Sequence, residues 1–234
     1  MNKAPAAHGP AQDAGSYQRG ERRVLIVVLS LGFLLFVVLA FCLSAYRLFS
    51  IPSASNAPML RLGSYVIVSR ISYGYSRYSF DDFELPITGR WPALAPKRGD
   101  MIAFRLPRNR KLPYIKRVVG LPGDRIQMIN GRLSINGQLV PREPAAKMPD
   151  PSGGKSDVDV YVERLPEGAS YRIIEAAGDS AHFDNTREFV VPPGHLFVLG
   201  DNRDNSIDSR HEAERFGVGY VPIELVIGRV IIAF

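Results

Sequence analysis

Lys116 sits inside an apolar, β-branched run, Tyr114-Ile115-Lys116-Arg117-Val118-Val119-Gly120. A chain keeps a cation in such a run when its methylene body is packed and its amine has a task. Upstream lies a serine-rich turn, Ile51-Pro52-Ser53-Ala54-Ser55, with Pro58 just beyond it. The two prolines restrict the backbone, which suits a nucleophile held on a rigid turn. A serine hydroxyl attacks poorly until a neighbouring base takes its proton. A lysine can be that base where burial disfavours its charged form and draws its pKa down. Ser55 and Lys116 would then make a hydrolytic pair that needs no histidine. Ser53, two residues earlier, can turn a second hydroxyl toward the same reacting centre.

Plainer readings compete. Ser-Ala-Ser beside a proline is ordinarily just a turn, and an isolated lysine on a strand ordinarily snorkels to water. Successive strand residues alternate in direction, so one of Lys116 and Arg117 faces inward, and the sequence does not choose between them. A third segment, Gly200-Asp201-Asn202-Arg203-Asp204-Asn205-Ser206-Ile207-Asp208-Ser209-Arg210, is dense in turn formers and opposite charges. Its plain reading is a solvated loop closed by surface ion pairs. That reading strains, because the apolar run 196–199 leads straight into it. A buried loop end of this composition must satisfy its polar groups internally.

The elements that would position these residues are a membrane helix and a β domain. Val24 to Leu43 carries no charge and is interrupted only by Ser30 and Gly32. Twenty helical residues match a hydrocarbon core of about 30 Å. The run is too long for the apolar part of a cleaved secretory signal. Residues 24–44 are read as one transmembrane helix, and 1–23 as a disordered cytoplasmic tail. Arg22 and Arg23 abut the span, which places everything after about residue 45 on the outer side. Strands are expected at 65–69, 101–104, 114–119, 125–129, 132–135, 171–175, 196–199 and 226–234. Asn130-Gly131 and Asn136-Gly137 offer tight hairpin turns. The expected fold is mostly β: an antiparallel, barrel-like catalytic domain over 45–234, with a small inserted lobe at about 140–190. The aromatic stretch 71–96 is either a headgroup-level segment or a packed loop.

Composition narrows the function. Hydrophobic residues make up 46% and charged residues 22%, as in ordinary globular chains. The net charge of +6 is scattered, with no basic block beyond Arg108-Asn109-Arg110-Lys111. Anionic lipid is the better partner for that charge, and nucleic acid is not expected. The single cysteine, Cys42, lies in the apolar run, and His8, His182, His195 and His211 lack ligand spacing. No metal and no cofactor are expected.

Taken together these segments resemble the type I signal peptidases, membrane-bound serine proteases that remove signal peptides from exported proteins. Residues 51–58 resemble the nucleophile segment, 97–104 the next block, 114–124 the lysine block and 200–210 the last, in the family's order. The resemblance implies Ser55 as nucleophile and Lys116 as general base. It implies an oxyanion hole from the Ser53 hydroxyl and the Ser55 backbone N–H. Ser206 would hydrogen-bond the lysine amine, while Asp208 and Arg210 would brace the site as an ion pair. The implied partners are preprotein signal peptides and membrane lipid, at the plasma (inner) membrane with the catalytic domain outside.

The chain departs from the family pattern at Asn56, where methionine usually follows the nucleophile, and at Met59, where threonine is common. Two alternatives follow: a specialised or weakly active paralogue serving one substrate, and a non-catalytic, membrane-tethered module. A self-cleaving repressor-type peptidase also uses serine and lysine, but that class is soluble.

Overall fold

The computed structural model describes residues 11–81, 83–179, 181–213 and 216–234. The chain divides into two compact units, with the boundary after Ala45. The first contains α1, Ala11–Ala45, whose stretch Glu21–Ala45 is long and apolar enough to cross a membrane. Leu25, Phe33 and Leu39 along it each leave more than half their surface exposed. The expected tail is corrected over residues 11–23, which continue the helix, while residues 1–10 lie outside the described residues. Alanine, glutamine, glutamate and arginine there are good helix formers, and extending an existing helix avoids the cost of nucleation.

The second unit is built from short strands. In chain order these are β1 Tyr46–Ser50, β2 Tyr65–Ser69, β3 Tyr75–Ser76, β4 Arg90–Trp91, β5 Met101–Leu106 and β6 Asn109–Gly120. Then come β7 Arg125–Ile129, β8 Arg132–Ile135, β9 Gln138–Leu139, β10 Arg142–Pro149 and β11 Asp157–Arg164. The last are β12 Ser170–Glu175, β13 Phe189–Val190, β14 His195–Leu199, β15 Val221–Pro222 and β16 Val226–Ala233.

A seven-stranded sheet runs β1-β2-β16-β5-β6-β14-β15, beside sheets β13-β7-β8-β9, β10-β11-β12 and β3-β4. The strand pairings are antiparallel, as the alternating apolar pattern and short turns require. Both Asn-Gly turns have positive φ at both residues: 47° and 71° at Asn130-Gly131, 54° and 83° at Asn136-Gly137. That backbone matches the twist of a two-residue hairpin, and asparagine and glycine tolerate it best.

Ile102, Phe104, Val118 and Val198 are fully buried where β5, β6 and β14 meet. Burying each such side chain contributes about 1.5–3 kcal/mol. The inserted region carries its own sheet, β10-β11-β12, whose Val158, Val160 and Ile174 pack with Ala57 of the 51–58 segment. The aromatic stretch divides. Tyr73 and Tyr78 are buried, whereas Phe83 and Trp91 are largely exposed.

Candidate active site

Ser55 lies in a short coiled segment fixed at both ends. Ile51 N–H donates to the Ser64 carbonyl and Gly63 N–H returns a bond to the Ile51 carbonyl. Further on, Ala57 N–H donates to Ala54 O and Leu60 N–H to Asn56 O. Ile51, Ala54, Ala57 and Leu60 are buried, so the segment's apolar side grips the domain while Ser55 stays half-buried. A hydroxyl on such a turn keeps its direction.

Lys116 stands on β6, paired with Ile102 of β5, in the middle of the seven-stranded sheet. It is 3% exposed, and its Nζ lies 2.6 Å from Ser55 Oγ. Burial pushes the amine down to about 8, and the nearby Asp208 and Asp201 carboxylates limit the fall. Keeping it charged costs about 3 kcal/mol more than in water. Arg117, on the opposite face, is buried too: Nε and Nη2 donate to the two Asp201 oxygens at 2.7 and 2.6 Å. Both faces of β6 are covered, so the lysine meets the serine while the arginine braces the other side.

Ser53 Oγ lies 3.2 Å from Ser55 Oγ, and either hydroxyl can donate. The 200–210 loop wraps the back of Ser55. Asn202 N–H donates to the Ser55 carbonyl at 3.1 Å, and Asn202 Nδ2 to the Ala54 carbonyl at 3.2 Å. Asp208 accepts from Arg210 Nε and Nη2, both at 2.9 Å, and from Gly200 N–H at 3.1 Å. Burial alone would raise the Asp208 carboxyl, but Arg210 and these donors outweigh it and hold it below the usual carboxylate range. Ser206 differs from expectation. Its hydroxyl is buried without a hydrogen-bond partner among the described residues, and Lys116 Nζ bonds Ser55 instead.

Several site contacts escaped the sequence reading. The loop is not a solvated surface feature: Asp201, Asn202, Arg203 and Asp208 are all buried. Ile174 N–H donates to Asp201 O and Arg203 N–H to Ile174 O, sewing the loop to β12. Arg203 also donates to both Glu163 oxygens of β11 through Nη1 and Nη2. The only hint was the density of opposite charges after an apolar run. Asn56 is buried and donates through Nδ2 to the Ile115 carbonyl at 2.7 Å, linking the nucleophile segment to the lysine's strand.

The family described as "Signal peptidase, peptidase S26" matches residues 22–234. A signal peptidase I of Rickettsia typhi is 38% identical over 188 residues, 77% of this chain and 69% of that protein. The signal peptidase I of Rickettsia prowazekii is 36% identical over 86% of this chain and 76% of its own length. That of Pseudomonas aeruginosa is 34% identical over 83% of this chain and 66% of its own length.

Proposed function

This chain belongs to the signal peptidase family, peptidase S26, and from that premise we propose a membrane-bound serine endopeptidase working through Ser55 and Lys116. Its substrates are preproteins and the bond it cuts releases the signal peptide. The observation that carries the dyad is the 2.6 Å approach of a 3%-exposed Lys116 amine to Ser55 Oγ. With α1 as the anchor, the catalytic unit works at the extracytoplasmic face, where translocated cleavage sites emerge.

An extended cleavage segment lies along a strand edge, held by backbone hydrogen bonds with shallow pockets for small side chains. Neutral Lys116 accepts the Ser55 hydroxyl proton as Oγ attacks the scissile carbonyl. The oxyanion receives hydrogen bonds from the Ser55 backbone N–H and the Ser53 hydroxyl, which are in place before charge develops. Lys116 then protonates the departing amine. Next it takes a proton from water as that water attacks the acyl carbon, and it returns the proton to Ser55 Oγ as the ester bond breaks. Asp208 and Arg210 hold the loop behind the dyad without meeting the substrate.

The test is the full chain in detergent, mixed with a preprotein bearing a small-x-small cleavage site. Native protein is expected to cleave it, while Ser55→Ala and Lys116→Ala lose activity by at least about a thousandfold yet remain folded. Native-like cleavage by Lys116→Ala ends the base assignment. No cleavage by the native chain favours the non-catalytic module.

A further inference from the structure

Three carboxylates converge, two from residues 175–184 and one from the 200–210 loop. One oxygen from each of Glu175, Asp184 and Asp204 lies within 4.8 Å of the others. Glu175 ends β12 and is 1% exposed, as is Asp184. Neither Glu175 oxygen has a hydrogen-bond donor among the described residues, and Asp184 Oδ1 and Asp204 Oδ1 also have none. The remaining oxygens are used: Asp184 Oδ2 accepts from Ala181 N–H and Asp204 Oδ2 from Ala177 N–H.

Nearby arginines supply less positive charge than these three carboxylates carry, because most are committed to other acids. Arg203 is bound to Glu163, Arg210 to Asp208 and Arg117 to Asp201. Arg142 approaches Glu175 Oε1 only to 3.6 Å, while its Nη2 donates to both Asp179 oxygens at 2.9 and 3.0 Å. Like charges crowded in a buried place disfavour ionisation. A buried carboxylate normally has a donor or counter-charge. The unmet requirement is a cation.

We propose that Glu175, Asp184 and Asp204 form a calcium-binding site that ties the inserted lobe to the 200–210 loop. An all-oxygen, all-anionic donor set selects a hard divalent ion rather than zinc or copper. Calcium fits better than magnesium, which sheds its water reluctantly and requires a near-ideal octahedron. Asp204 is only partly buried, leaving a side from which the ion enters and water completes its shell. Asp204 stands two residues before Ser206 and four before Asp208, so the ion would fix the loop that backs Ser55. Reading histidine and cysteine spacing missed this set, whose members sit on three separate segments.

The experiment is calcium chloride titrated into chelator-treated full chain, followed by calorimetry and thermal unfolding. One saturable site is expected, with the melting midpoint rising about 5–10 °C when calcium exceeds its Kd a hundredfold. Glu175→Gln and Asp204→Asn are each expected to lose both the heat and the shift. Ser55→Ala is expected to titrate like the native chain, which separates this site from the peptidase reading. Absence of saturable heat, a shift that survives Asp204→Asn, or an equal shift with magnesium chloride overturns the proposal.

Discussion

A lysine held near 8 by burial does chemistry only in the fraction that has lost its proton. At pH 7 that fraction is about a tenth, and it rises about tenfold per pH step until the pKa is passed. For Lys116 as base, kcat/KM of the native chain should climb from pH 6, bend near 8 and level off above 9. The sign follows from the neutral form being the active one, so acid suppresses turnover without unfolding the protein. A flat profile between pH 6 and 9 removes Lys116 from the proton transfer. At this scale the sequence showed which residues could react but not which way they faced. Lys116 and Arg117 alternate, and only the cover on both faces of β6 decides that each is buried with its own partner. Ser206 could be placed near the site by its loop, yet its hydrogen bond depends on side-chain direction, which composition does not encode.

Among the elements, the 200–210 loop has little tolerance. A Cβ on Gly200 would meet Ser206 Oγ at 2.1 Å, Ser206 Cβ at 2.5 Å and the Ser55 carbonyl oxygen at 2.5 Å. The last of these is backbone and cannot rotate away. Gly200→Ala should therefore displace the nucleophile segment, cutting kcat at least about tenfold. Overpacking costs about 1–3 kcal/mol, which lowers the melting midpoint by about 2–4 °C for each kcal/mol. Native kcat and midpoint in that variant would show that the loop yields freely. Strand β2 could be read from its apolar, β-branched run, and β7 and β8 from alternation and their Asn-Gly turns. β10 could not: its residues are mostly exposed and include Pro144 and Pro149, so it lacks the apolar rhythm of a half-buried strand. The apolar run before the loop hinted at its burial, but its partners stayed hidden, because Ile174, Glu163 and Arg117 come from distant segments.

For the whole molecule, the division after Ala45 separates an apolar helix from a β unit with its own buried clusters. The helix was the most legible feature, since a long uncharged run encodes it locally. A chain beginning at Tyr46 should fold, melt cooperatively and stay in solution, whereas the full chain should float with liposomes. It should cut a soluble peptide well but a bilayer-held preprotein poorly, because anchoring raises the local concentration of enzyme and substrate. Flotation of the shortened chain with liposomes would mean that a second surface holds it to lipid. The stitching of β12 and Glu163 to the catalytic loop has an evolutionary corollary. Residues 140–190 cannot be traded between relatives as a detachable cassette. A chimaera that takes residues 140–190 from a relative is expected to need the 200–210 segment from the same parent.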